Sequence, residues 1–182
     1  MVVSRPGDQS SGEKTELPDW TRETKRLFEW APYKSLLSAI RCYQANREKR
    51  DIISIVCWRV ATVRWRFWSI LGGISIPLRC QIGGGLQMAH TNGIVINADA
   101  KIGCNCDIFQ QVTIGESKGG FPEIGNRVSI GAGAKILGPV KIGDGARIGA
   151  NALVIRDVPR GAVVYAAPAE IHVPGLTPTA SP

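Results

Sequence analysis

Histidine is scarce in this 182-residue chain, which contains only His90 and His172. A metal centre built from three histidines of one chain is therefore excluded. The first 19 residues are polar and lack the apolar segment of a secretory signal peptide. We expect a cytoplasmic, reducing location in which the five cysteines form no structural disulfide.

The chain also lacks an uncharged apolar run long enough to span a membrane. Its longest apolar stretch, residues 52–71, contains Arg59, Arg64 and Arg66. Each arginine at mid-membrane costs about 2.5–3.5 kcal/mol on insertion scales, so the stretch is not predicted to cross a bilayer. The basic and aromatic residues of the N-terminal helices, between Arg41 and Arg66, suit either packing on the rest of the protein or peripheral contact with an anionic membrane. No nucleic-acid-binding module is recognised, so the net charge of +7 is not assigned to nucleic acid.

Composition divides the chain into four parts. We expect residues 1–18 to be a disordered tail rich in Ser, Gly, Pro and charge. Residues 19–73 are predicted to be helical, with one helix over 20–44, broken near Pro32, and another over 50–71 that ends at two glycines. Residues 74–172 form a repeat domain, and residues 173–182 a flexible C-terminal tail.

The repeat domain has a period of six residues. Two positions of each hexad are apolar, and a glycine often follows the first. The first position is a large aliphatic residue: Ile76, Ile82, Met88, Ile96, Ile102, Ile108, Ile114, Ile124, Ile130, Ile136, Ile142, Ile148 and Val154. Four residues later stands a small or aliphatic one: Cys80, Leu86, Ala100, Cys106, Val112, Val128, Ala134, Val140, Ala146, Ala152 and Val158.

So short a period predicts a solenoid, because a single hexad cannot bury its own apolar face. Three hexads close one triangular coil, which gives about four coils between Ile76 and Val158. The glycines are expected to provide unusual backbone angles at the turns. Cys80 and Cys106 fall in the small column and are predicted to be buried, which argues against a metal site at Cys104 and Cys106.

The period breaks twice. Two extra residues stand between Met88 and Ile96, and four between Ile114 and Ile124. Insertions in a solenoid leave the stack as surface loops, which often carry the binding site. The first loop contains His90.

The segments GGGLQMAHTNGIVIN, QQVTIGESKGG, IGAGAKILGPVKIG and VIRDVPRGAVVYAAPAE resemble the serine acetyltransferase branch of the hexapeptide-repeat acyltransferases. The resemblance covers roughly residues 72–172. It implies a left-handed parallel β-helix, acetyl-CoA as co-substrate, no metal, and a homotrimer with active sites between subunits.

The same resemblance assigns candidate site residues. His90 corresponds to the base that deprotonates the acceptor hydroxyl, and imidazole suits that task near neutral pH. Ser75 stands where the family has a carboxylate partner of the base, and Phe121 where it has a second, substrate-holding histidine. Ala132, Ala150, Ile155 and Arg156 occupy positions that bind CoA, with Arg160 as a second candidate for its phosphates.

We therefore expect an acetyl-CoA-dependent O-acetyltransferase. Because Ser75 and Phe121 depart from the serine-specific pattern, the preferred acceptor is a sugar hydroxyl of a polysaccharide. Serine itself, as in cysteine biosynthesis, is the alternative acceptor. A non-catalytic scaffold that keeps only the fold is the rival from another class.

Overall fold

The computed structural model describes residues 16–26 and 29–168. Residues 1–15 of the expected N-terminal tail and all of the expected C-terminal tail lie outside this range. Residues 16–18 were expected to be disordered, but they contact the repeat domain. Asn105 Nδ2 donates a hydrogen bond to Leu17 O at 3.0 Å, and Arg127 forms an ion pair with Glu16 at 2.7 Å. These polar contacts hold the segment in place.

Two helices precede the repeats. After a single 3-10 turn at Trp20–Arg22, α1 runs over Pro32–Asn46 and α2 over Ile52–Gly72. The first helix was predicted to begin at residue 20. It begins instead at Pro32, because proline lacks the N–H that a helix interior requires but fits the first helical turn. The side chain of Asp51 caps α2, and Gly73, with φ of 60°, ends it in the left-handed conformation.

The repeats form a parallel β-helix with three faces, which we name A, B and C in the order in which the chain visits them. The strands are numbered along the chain. Face A consists of β1 (Ile74–Ser75), β3 (Ile94–Ile96), β6 (Thr113–Gly115), β9 (Lys135–Leu137) and β12 (Leu153–Val154). Face B consists of β2 (Gln81–Ile82), β4 (Lys101–Ile102), β7 (Glu123–Ile124) and β10 (Lys141–Ile142). Face C consists of β5 (Asp107–Ile108), β8 (Ser129–Ile130), β11 (Arg147–Ile148) and β13 (Val163–Val164).

The left-handed parallel β-helix with an N-terminal helical region is confirmed. The first apolar column of the hexads points inward, and its members are at most 7% exposed; the second column, at the corners, is buried to the same degree. The estimate of four coils is too low, because face A contains five strands. The counted hexads already supply one aliphatic residue to each of the five rows of face A, namely Ile76, Ile96, Ile114, Ile136 and Val154. Only β13, in the last coil, lies outside them.

The corner glycines have a different role from the one expected. Those that follow the aliphatic position do not adopt positive φ. Most of them are required by close stacking: a Cβ on Gly103 would lie 2.5 Å from Gly125 O, and one on Gly143 would lie 2.4 Å from Arg160 N. Positive φ occurs two residues later, where Asn105 and Asn151 adopt it as well as glycines.

The first coil is closed by side chains from the helices. Arg41 donates to Ile82 O and Gly83 O, and Gln44 donates to Leu78 O and Cys80 O. Trp65 Nε1 donates to Ile76 O at 2.8 Å. These bonds pair carbonyl groups that have no preceding coil, so α1 and α2 cap the open end of the β-helix.

We predict that Cys80 and Cys106 resist labelling in the folded protein. Both side chains are fully buried. Burial raises the pKa of Cys80 to about 12 and that of Cys106 to about 11, so neither is a thiolate at neutral pH. Mass spectrometry after a short pulse of a polar maleimide at pH 7.5–8 measures this, with the half-buried Cys104 as internal comparison. Rapid modification of both in the absence of urea would contradict the packing.

Candidate active site

The loop with His90 lies at the corner where face C passes into face A. Thr91 Oγ1 donates to Gly72 O at 2.9 Å, and Gly93 N donates to Gly73 O at 2.8 Å. The loop is thus fixed against the end of α2. His90 itself is exposed, so its imidazole is accessible to a substrate.

Below this loop, the same corner continues as a backbone ladder, which we name the C–A corner (residues 89–93, 109–112, 131–133 and 149–151). Gln111 N donates to Asn92 O, Gly133 N to Gln110 O, and Asn151 N to Ala132 O, all at 2.8–2.9 Å. The structure therefore brings His90, Ala132 and Ala150 into one column. The predicted base and two of the predicted CoA-binding positions thus lie along one line, as a single elongated ligand would require.

The amide N–H groups of Ala132 and Ala150 suit that ligand. Neither donates a hydrogen bond to another backbone group in the described part of the chain, although their neighbours Gly131, Gly133, Gly149 and Asn151 all do. Ala132 is half-buried and Ala150 is exposed. Each therefore offers a free donor at the corner, of the kind that a carbonyl of an extended thioester substrate would accept.

Ser75 lies on β1, with its side chain exposed on face A. Its register partner is Val95, five residues after His90. Ser75 thus lies on the strand next to β3, and His90 lies in the loop that leads into β3, at the same end of the β-helix. No hydrogen bond joins Ser75 to His90 within residues 16–26 and 29–168, so Ser75 does not orient the imidazole in this single chain.

Phe121, Ile155 and Arg156 lie elsewhere. Phe121 follows the second loop, a hairpin in which Ser117 and Gly120 exchange backbone hydrogen bonds at 3.1–3.2 Å. This loop and the exposed pair Ile155 and Arg156 lie where face A passes into face B, which we name the A–B corner. One chain thus places the two halves of the predicted site at opposite edges of face A. Arg160 lies at the remaining corner, between B and C, where its backbone stacks on Gly143.

Gln110 is a residue of the C–A corner that the sequence analysis missed. Its Oε1 atom is buried and has no hydrogen-bond partner among the described residues. A buried acceptor without a donor costs about 1–3 kcal/mol, so the single chain leaves a polar group of this corner unpaired. Gln110 and Gln111 lie outside the two apolar columns of the hexads, so the period gave no reason to select Gln110.

Of two clefts on the single chain, one lies away from this column and the other adjoins its upper end. The first is an open groove of about 830 Å³ along face B, lined among others by Arg47, Lys101 and Glu123, and it includes none of the predicted site residues. A smaller cleft of about 230 Å³ adjoins Ala89 and Phe109, beside the His90 loop. In the described part of the chain, no three His, Cys, Asp or Glu side chains are grouped as metal ligands.

The comparisons with known proteins decide the family. The family model described as bacterial transferase hexapeptide (six repeats) matches residues 121–156. A serine acetyltransferase from Helicobacter pylori is 38% identical over 136 residues, which cover 65% of this chain and 79% of the relative. This chain belongs to the serine acetyltransferase branch of the hexapeptide-repeat acyltransferases.

Other serine acetyltransferases extend beyond this chain. The one from Mycobacterium tuberculosis is 45% identical over 109 residues, but these cover only 48% of its length. The solved structure of the Neisseria gonorrhoeae serine acetyltransferase in complex with serine is 33% identical, with a TM-score of 0.60, and covers 77% of this chain and 55% of that one. A serine acetyltransferase in complex with CoA gives 30% identity, a TM-score of 0.59 and coverages of 72% and 52%. The chain thus spans about half of several relatives.

We predict that Thr91→Val destabilises the protein by about 0.5–1.5 kcal/mol, because it removes the hydrogen bond that ties the His90 loop to Gly72. Urea unfolding followed by circular dichroism measures the change. Thr62→Val is the matched control: Thr62 also donates to a carbonyl, that of Trp58 at 2.8 Å, but that carbonyl lies inside a helix. Equal effects of the two substitutions would contradict a special role of Thr91.

Proposed function

We propose that this chain is an acetyl-CoA-dependent O-acetyltransferase that acts on the hydroxyl group of serine. The single observation that supports it most is the column of His90, Ala132 and Ala150 along the C–A corner. The relatives described above are named serine acetyltransferases, and one solved neighbour contains serine. They favour serine over the polysaccharide sugar that the sequence analysis preferred, for which the comparisons offer no support.

In this proposal His90 accepts the proton of the acceptor hydroxyl as its oxygen attacks the thioester carbonyl. The new C–O bond forms, the C–S bond breaks, and the proton passes to the departing sulfur. The products are an acetyl ester and the free CoA thiol. Backbone N–H groups of the C–A corner hold the extended arm of CoA and keep its carbonyl carbon near the imidazole.

We further propose that the active unit is a homotrimer in which face A turns toward the threefold axis. Face A presents Val95 and Leu153 in its outward row, with Phe109 and Ile155 at its edges, and all four are at least 37% exposed. In a cyclic trimer with this orientation, the C–A corner of one subunit meets the A–B corner of the next. Phe121 and Arg156 of one subunit then reach the His90 column of its neighbour, which accounts for the separation of the two halves in a single chain.

We predict that His90→Ala lowers turnover by about 10²–10⁴-fold, the usual contribution of a general base, and leaves CoA affinity nearly unchanged. Release of CoA thiol from acetyl-CoA and serine measures turnover, and calorimetry measures CoA binding. His172→Ala, the other histidine substitution, is the control and retains activity. A fully active His90→Ala protein would exclude this residue as the base. A wild-type protein that binds CoA but transfers no acetyl group to serine or sugars would instead support the alternative of a non-catalytic scaffold.

The trimeric site predicts complementation between two impaired variants, assayed at an acetyl-CoA concentration below the raised KM. Arg156→Glu places a negative charge against the CoA phosphates and is expected to raise the KM for acetyl-CoA well above that of the wild type. Trimers refolded from a mixture of His90→Ala and Arg156→Glu chains contain some sites with both native residues, one from each chain. Activity of the mixture above that of either variant is the expected result. A site contained within one chain gives no recovery at any ratio.

A further inference from the structure

Helix α2 has an apolar surface that nothing in the described chain covers. Among the helices and strands of the described residues it packs against α1 and β1, and Trp65 and Gly72 also bond to Ile76 and Thr91. On the opposite side, apolar side chains recur at alternating spacings of three and four residues, which places them on one stripe of the helix. The stripe consists of Ile53, Val56, Val60, Val63, Phe67 and Ile70, and each member is 51–76% exposed. We call this the α2 stripe.

The α2 stripe is bordered by positive charge on both sides. Arg59 and Arg66, seven residues apart, lie along one border, and Arg64 lies along the other. None of the three takes part in an ion pair within the described part of the chain. All three side chains are exposed. Arg59 rests on the ring of Trp58, 5.1 Å from its centroid, and so stays beside the helix.

A surface of this kind fits an anionic lipid bilayer. An interfacial helix buries its apolar side chains at the boundary of headgroups and acyl chains, while arginines beside them meet the lipid phosphates. No helix among the described residues is long and apolar enough to cross a membrane. The arrangement therefore suits a helix that lies on the bilayer surface.

The arginines on both sides of the α2 stripe argue against α2 of a second copy of this chain as its binding partner. The spacing of the stripe resembles that of a coiled coil, but it extends over only 18 residues. Two copies packed along it would place arginine borders against each other. Such like-charge pairs are destabilising, and neither border contains an acidic residue to offset them.

We propose that the α2 stripe and its arginine borders dock the protein on anionic membranes. This goes beyond the proposed acetyl transfer, because the stripe contains none of the catalytic or CoA-binding residues. The capped end of the β-helix would face the bilayer, and α2 would lie in its interface.

Flotation of the full chain with vesicles tests the proposal. The protein is expected to bind vesicles of phosphatidylglycerol mixed with phosphatidylcholine, and to bind them more weakly at high salt. It is expected to bind vesicles of phosphatidylcholine alone very little. Replacing Arg59, Arg64 and Arg66 by Gln is expected to lower the partition coefficient on the order of 100-fold, at about five-fold for each charge. The control removes three exposed charges elsewhere, Arg79→Gln, Lys141→Gln and Arg147→Gln, and is expected to lose much less.

The apolar part is tested separately. A variant with Val60→Gln, Val63→Gln and Phe67→Gln is expected to lose at least about ten-fold in binding while keeping its circular dichroism and its thiol release from acetyl-CoA. Leu17→Gln, at a site 82% exposed outside α2, is the matched control. Unchanged vesicle binding of both α2 variants would overturn the proposal. A lower oligomeric state of the apolar variant in sedimentation equilibrium, without loss of lipid binding, would assign the stripe to a second copy instead.

Discussion

The stacking of one coil on the next is the constraint on which the rest of this molecule depends. Each short strand has only two or three residues, too few to be stable alone. It is held by parallel hydrogen bonds to the coils above and below and by the aliphatic side chain that it sends inward. The bonds fix the distance between coils, and that distance leaves no room for a Cβ at glycines such as Gly103. Sequence period, buried core and corner composition all follow from this one contact.

The first coil of the β-helix has no coil before it, and the two helices cover this end. A coil without a predecessor presents free carbonyl groups, which would invite pairing with another chain. Arg41, Gln44 and Trp65 donate to these carbonyls from α1 and α2. The same helices hold the His90 loop through Gly72 and Gly73. The cap and the candidate site are thus mechanically connected, although they lie far apart in the sequence.

Much of this fold was predictable from the sequence because the hexad period directly reports which residues point inward. The corner glycines were found but explained wrongly, since a sequence shows that a side chain is missing and not whether space or φ requires it. The start of α1 was misplaced because a short polar segment, Trp20–Arg22, is held by tertiary contacts rather than by its own periodicity. Gln110 was missed because an unpaired buried atom becomes visible only when its surroundings are known.

The predicted site residues came from the family resemblance, and the structure places His90, Ala132 and Ala150 at one corner and Phe121, Ile155 and Arg156 at another. Sequence alone could not show this, because corners are defined by the fold and not by distance along the chain. Within one corner, however, the coil spacing has a further consequence. The His90 loop and Ala150 are three coils apart, which at about 4.8 Å per coil corresponds to roughly 14 Å. The coil spacing therefore sets distances along the corner in fixed steps: in the proposed site, one added or deleted coil would move the thioester relative to His90 by one such step.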